Sequence, residues 1–266
     1  MLELSLAFPG YLVRAIAGMT VPDLAFVDIA GRAVAYRSRP GLSPTLIFLP
    51  GYASDMEGSK ALALDAFAEA RGLAMLRFDY SGTGTSGGSF DEGTLDRWLD
   101  EMLHLIDHLA EGPVILIGSS MGGWLALLVA ERRPERVAAL VGIAAAPDFT
   151  EWGYSDDEKA RLQRDGRLER PNPHGAEPEL TTAAFWESGQ ALRLLDGPIA
   201  VDCPVRLVHG EADDEVPVEI ALRTLQRLRS ADVQLTIVKG GGHRLSQPNE
   251  IDAILRAVAA LLEPSQ

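Results

Sequence analysis

Cysteine is almost absent. Of 266 residues only Cys203 carries a thiol, which excludes a disulfide framework and a cysteine-built metal site and fits a reducing compartment. Positive charge is also scarce, with 24 Lys and Arg against 38 Asp and Glu, a formal charge of −14 at pH 7. Nucleic acid and anionic membranes would repel such a surface, so neither is expected as a partner. No run approaches the ~18 apolar residues of a membrane span, and no repeat or low-complexity tract is evident. Residues 1–19 are apolar, but they hold Glu3 where a secretory signal wants basic charge and lack a small-residue cleavage site. They also lack the several arginines of a mitochondrial presequence. They read as an N-terminal extension with Met19 as an alternative start, and a cytoplasmic location is expected.

The composition is 47% hydrophobic and 23% charged, that of an ordinary globular chain with a sizeable core. Residues 24–29 and 32–37 alternate apolar and polar around Ala30-Gly31, predicting an antiparallel hairpin. Six short apolar runs follow, at 45–49, 73–78, 114–117, 137–145, 205–208 and 233–238, as expected of strands buried on both faces. Helical stretches at 59–71, 94–110, 121–133, 218–228 and 248–262 separate most of them. The alternation predicts an α/β fold: a mostly parallel eight-stranded sheet with helices on both faces. Between Asp148 and Pro204 there is no strand candidate, and the stretch is charged and rich in Pro and Gly. It reads as a cap or lid insertion over 148–203, with the core formed by 20–147 and 204–266.

Two glycine-rich turns compete for attention. RFDYSGTGTSGG (77–88) contains Gly82-x-Gly84-x-x-Gly87 after an apolar run, the spelling of a dinucleotide-binding turn. Such a turn must open a helix whose N–H groups receive the pyrophosphate, yet here the helical pattern begins only near Thr94. No acidic residue ends a second strand at the required distance either. The nucleotide reading is therefore disfavoured, and no cofactor is expected.

VILIGSSMGG (114–123) is different, because a strand runs straight into Gly-x-Ser-x-Gly and an apolar helix follows at once. That setting makes Ser120 the candidate nucleophile, raised above the sheet with a helix N-terminus beneath it. A serine hydroxyl needs a base. His104 and His108 lie one turn apart on a polar helix side and lack a third metal ligand. His174 falls in the insertion, and His209 ends a strand and reads as packing. His243, in Gly240-Gly241-Gly242-His243, stands after the last strand, where the base of an α/β-hydrolase belongs. Between them in the chain, LVHGEADDEVP (207–217) offers Asp213 as the residue that orients the imidazole. Asp214 competes, and the spacing His-Gly-x-x-Asp-x-x-Val-Pro favours Asp213. The oxyanion donors are expected at the backbone N–H of Met121 and of Tyr52, the latter in Pro50-Gly51-Tyr52 after the strand at 45–49. No metal site is expected.

The glycine loop then finds its place, since Asp79-x-x-Gly82-x-Gly84-x-Ser86 resembles the tight loop that precedes the nucleophile strand in α/β-hydrolases. The resemblance extends through PGY, GSKALA (58–63), RFDYSGTGTSGG, GSSMGGW, CPVRLVHGEADDEVP and Gly242-His243-Arg244. Together these are similar to the mitochondrial α/β-hydrolase branch of palmitoyl-protein thioesterases and acyl-glucuronide esterases. By that resemblance Ser120, Asp213 and His243 form the catalytic triad of a serine hydrolase. It implies cleavage of acyl thioesters or esters through an acyl-enzyme, on a small-molecule or protein-bound substrate; a monomer or homodimer is expected. The insertion differs most from that branch, so the acyl donor does not carry over with the reaction. Trp152, Phe185 and Trp186 are expected to line an acyl channel or to anchor the insertion. The rival readings are a general carboxylesterase for small esters, a nucleotide-dependent oxidoreductase, and a non-catalytic scaffold acting as a receptor.

Overall fold

A strand with no polar face has nothing to offer water, and such strands occupy the middle of the sheet. The structure is a computed structural model describing residues 20–171 and 178–263. The extension at 1–19 and His174 lie outside the described residues. The strands are β1 (Leu24–Ile29), β2 (Arg32–Arg39), β3 (Leu42–Leu49), β4 (Leu73–Phe78), β5 (Val114–Ser119), β6 (Val137–Ile143), β7 (Arg167–Arg170), β8 (Glu179–Thr182), β9 (Val205–Gly210) and β10 (Val233–Val238). Eight form one sheet in the order β1-β2-β4-β3-β5-β6-β9-β10. The β1–β2 and β2–β4 pairs are antiparallel and the others parallel. Every residue of β5 and β9 is buried, whereas the edge strands β1 and β10 alternate in exposure. The β1–β2 turn has positive φ at both Ala30 and Gly31, the twist a two-residue hairpin needs.

The helices are α1 (Ser59–Arg71), α2 (Leu95–Leu109), α3 (Met121–Arg132), α4 (Phe149–Trp152), α5 (Asp156–Asp165), α6 (Ala183–Ala191), α7 (Val218–Arg227) and α8 (Pro248–Leu262). One apolar cluster joins Trp98, Met102 and Leu105 of α2 and Trp124 and Leu128 of α3 to Leu49, Phe78 and Leu116. A second joins Leu64 and Phe67 of α1 and Ile254 and Val258 of α8 to Phe48, Ile117 and Val141. Strand neighbours such as Ile115 and Leu116 thus feed opposite clusters, which accounts for apolar side chains on both faces. At about 1.5–3 kcal/mol for each large side chain removed from water, the two clusters fix the sheet between its helices.

Among its described residues, the stretch 148–203 contributes no strand to this sheet. Contrary to expectation it does contain strands: β7 and β8 pair antiparallel as a separate ribbon. Each is four residues long, and RLER and ELTT carry too little apolar alternation to signal a strand. The ribbon gains its support from a small cluster of Tyr154, Leu162, Leu168 and Trp186. Ser155 and Glu158 form a reciprocal capping box at the start of α5. Arg170 of the ribbon grips Glu158 through two nitrogens at 2.8 Å and stacks on the Tyr154 ring. The Glu158 carboxyl is held at about 2, chiefly by Arg170, against a smaller effect of burial. Asp148, at the start of the stretch, is tied to its later part: its buried carboxylate accepts from Leu194 N at 2.8 Å and Leu195 N at 2.7 Å. Burial raises the Asp148 carboxyl, and those two amides partly offset it.

Candidate active site

The turn after β5 is built around contacts that only glycine permits. A Cβ on Gly118 would stand 2.2 Å from Gly122 O, and one on Gly122 would stand 2.2 Å from Leu49 O. A Cβ on Gly123 would reach within 2.5 Å of the Ala145 Cβ. The start of α3 is thereby pressed against β3 and β5, leaving Ser120 at the apex with φ 54° and ψ −118°. A non-glycine residue held there stores about 1–3 kcal/mol of strain. Its backbone is over-determined by Ser120 N donating to Ile143 O at 2.9 Å and Ser120 O accepting from Gly123 N and Ala146 N.

Two loops converge on that serine. A Cβ on Gly210 would collide with Gly241 O at 2.2 Å, so the loop after β9 and the loop after β10 run in backbone contact. Ala212 N donates to Gly241 O and Glu211 N to Val238 O, each at 2.9 Å. This juxtaposition brings His243 Nδ1 to 2.9 Å from Asp213 Oδ2 and His243 Nε2 to 3.1 Å from Ser120 Oγ. A carboxylate can only accept, so Nδ1 carries the hydrogen and Nε2 is left to accept from the serine hydroxyl. The Asp213 carboxylate is wholly buried, and its Oδ1 accepts from Glu215 N at 3.0 Å and Val216 N at 2.8 Å. Burial pulls its carboxyl upward, but His243 and these amides outweigh it and hold it below its ordinary value. Asp214 instead lines the cavity, and Glu215 Oε2 lies 3.8 Å from His243 Nε2.

The loop after β3 passes over the same point, a Cβ on Gly51 standing 3.4 Å from the Ser120 Cβ. Tyr52 follows, its hydroxyl donating to Leu180 O at 2.6 Å and its ring against Phe90, Phe149 and Phe185. Burial raises the Tyr52 hydroxyl pKa. Met121 is the first residue of α3, where a backbone N–H has no partner within the helix.

Above Ser120 and His243 opens a cavity of about 570 Å³, within the range of small-molecule sites. Trp152 is among the residues that line it. Phe185 and Trp186 are not: Phe185 is buried in the core beside Tyr52, and Trp186 is buried with Tyr154, its Nε1–H donating to Thr150 O at 2.8 Å. The wall is mixed, Ala146, Phe149, Trp152 and Val216 facing Lys60, Arg170, Glu179, Thr181 and Arg244. Burial, reinforced by Arg244, lowers Lys60 to about 8 against an opposing effect of Glu250. Lys60 and Arg244 both lie in the motifs quoted above, whereas nothing in the sequence around Arg170 and Thr181 announced the ribbon that carries them.

The glycine loop at 79–88 closes on itself. Asp79 accepts from Met56 N and Thr85 N, each at 2.8 Å. The amides of Ser81, Gly82, Thr83, Ser86 and Gly87 all donate to protein oxygens, so they are not offered to a phosphate. Among the described residues no group of three His, Cys, Asp or Glu could hold a metal. His104 and His108 stack, with His108 Nδ1 donating to the His104 carbonyl.

A sequence profile described as alpha/beta hydrolase family matches residues 46–256. The human protein named palmitoyl-protein thioesterase ABHD10, mitochondrial, is 38% identical over 234 residues, covering 86% of this chain and 76% of the human one. Among solved structures, mouse alpha/beta hydrolase domain-containing protein 10 superposes with a TM-score of 0.85 at 37% identity, covering 90% of this chain and 98% of the mouse chain. A hydrolase from Agrobacterium vitis S4 gives 0.85 at 40% identity, covering 92% of this chain and all of that one. With the sheet order and the turn at Ser120 already in place, the chain belongs to the alpha/beta hydrolase family.

Proposed function

We propose that this hydrolase cleaves acyl thioesters or esters with Ser120 as nucleophile, His243 as general base and Asp213 as the residue that orients it. The observation that carries the reading is the unbroken line from Ser120 Oγ through His243 to the buried Asp213 carboxylate, at 3.1 Å and 2.9 Å. His243 Nε2 takes the hydroxyl proton as Oγ attacks the acyl carbonyl, and the buried anion of Asp213 stabilises the resulting imidazolium. The amides of Tyr52 and Met121 receive the tetrahedral oxyanion. The C–S or C–O bond then breaks, and the thiol or alcohol leaves with the proton held on Nε2. Water, deprotonated by the same nitrogen, attacks the acyl-enzyme and releases the acid and Ser120. The part 148–203 acts as the cap of the site, on a core formed by 20–147 and 204–266.

Support for a palmitoyl-protein thioesterase-like activity comes from the human relative of that name; acyl-glucuronide cleavage rests on the motif resemblance alone. The mixed wall of Lys60, Arg170, Thr181 and Arg244 favours a second reading, hydrolysis of small oxygen esters with polar groups. Among the described residues no helix is long and apolar enough to cross a membrane. Cytoplasmic location stays part of the proposal; the relatives are named as mitochondrial, and fractionation of cells expressing the full chain tests it. The test of activity measures hydrolysis of matched short- and long-chain thioesters and oxygen esters by wild type and Ser120→Ala. Preference for long thioesters supports depalmitoylation, and preference for short oxygen esters supports the second reading. Undiminished turnover by Ser120→Ala would overturn both.

A further inference from the structure

One buried titratable side chain beside the site has no part in the chemistry just described. His209, near the end of β9, is 1% exposed. Its Nε2 lies 2.9 Å from Val216 O and 3.4 Å from Asp213 Oδ2. A carbonyl only accepts, so Nε2 carries a hydrogen directed at Val216 O, with Asp213 Oδ2 close beside it. Asp213 Oδ2 thus stands between two imidazoles, His243 on the cavity side and His209 on the sheet side.

The pattern of bonds around Asp213 shows what this contact adds. The two amides on Oδ1 belong to Glu215 and Val216, members of the same turn as the aspartate. They orient the carboxylate within the turn and leave the position of the turn on the sheet to other contacts. His209 supplies one, because its backbone is in register with Ile237 of β10 while its ring holds Val216 O. The other charged groups around the pair, Asp214, Glu215, Lys60 and Arg244, lie on the cavity side.

We propose that His209 is a positioning residue for Asp213: it ties the 213–216 turn to β9 through Val216 O and packs its Nε2 against the carboxylate oxygen that receives His243. The inference rests on the roles assigned above to Ser120, His243 and Asp213. Its loss lets the turn shift, so the imidazole is presented to Ser120 at a poorer angle while the cavity that binds substrate keeps its walls.

The test compares kcat and KM of wild type, Ser120→Ala, His209→Phe and His209→Gln on one activated acyl ester, below the melting temperature of each. Phenylalanine fills the space of the ring without an N–H, and glutamine returns an N–H near the place of Nε2. His209→Phe should lose about 10- to 100-fold in kcat with KM within about twofold, as misplacement by about an ångström does, and His209→Gln should recover most of it. A phenylalanine variant with wild-type kcat, or a glutamine variant as impaired as phenylalanine, overturns this role. Either result beside an inactive Ser120→Ala leaves the nucleophile assignment standing; an active Ser120→Ala removes both. A second measurement needs no variant: nitrogen NMR of the histidine rings in wild-type protein should place a hydrogen on His209 Nε2, and a bare Nε2 would overturn the proposal.

Discussion

The two glycine-rich turns stand at the ends of β4 and β5, strands that flank β3, and they have opposite uses. In the 79–88 loop the glycines let the chain fold back on itself: a Cβ on Gly82 would strike the Ser89 backbone at 2.6 Å, and one on Gly84 the Asp79 carboxylate at 2.2 Å. Its amides point inward to Asp79, Glu101 and neighbouring carbonyls. In the 118–123 turn the glycines let a helix start against two strands, which leaves a strained serine at the surface of a cavity. Counting glycines does not tell the two apart. What does is the place of the next α-helix, which starts directly after Ser120 but only at Leu95 after Gly88.

The contrast is broken most sharply by Ser120→Ala, which should lose on the order of 10⁴-fold or more in kcat with its melting temperature held, measured by turnover beside calorimetry. Gly122→Ala should fail on both counts. Its Cβ meets the Leu49 carbonyl of a buried strand, so overpacking should lower stability by about 1–3 kcal/mol and activity with it, read from urea unfolding and residual turnover. Asp79→Ala should be the mirror image of the serine variant. Two amides, Met56 N and Thr85 N, lose their acceptor, which should destabilise by about 2–4 kcal/mol while turnover below the transition stays within a few-fold of wild type. A comparable loss of turnover in Asp79→Ala would mean that the first loop is not merely scaffold.

The smallest effect sharpens the comparison from the side of 148–203. Glu158 titrates at about 2 in the fold against 4.5 ordinarily, so its bond to Arg170 stabilises above pH 4.5 and is lost as pH falls towards 2. The pair is partly exposed, and its contribution is about 1 kcal/mol or less. The melting temperature of wild type should therefore exceed that of Glu158→Gln near neutrality, and the difference should shrink below pH 4.5. A difference that is independent of pH would sink this account.

Legibility in the sequence followed the same division. The hairpin, the central strands and the bounds of α1 and α8 could be read because they answer to periodicity and caps that act within a few residues. Ser120, Asp213 and His243 stood out because the chemistry needs those types in that chain order. The ribbon of β7 and β8 was hidden, since four-residue strands are stabilised by the partners they pack on and not by their own pattern. The places of Phe185 and Trp186 were hidden for a related reason: an aromatic side chain in an irregular stretch gives no sign of which surface it will face. His209 was read as packing, and its contact with Asp213 depends on a turn geometry that spacing alone does not reveal.

The carboxylate of Asp148 ties residue 148 to residues 194 and 195, so most of the 148–203 stretch runs out and back between points a single side chain apart. Replacing the residues in between would leave those two points in place, at the cost of the contacts that Leu180 and Ser188 make with Tyr52 and Leu95. Closing a longer loop between the same ends costs only about 0.6 kcal/mol for each doubling. Evolution, or an engineer, can exchange the contents as a cartridge, altering what the cavity admits while β5, β9 and β10 keep the reacting groups in register.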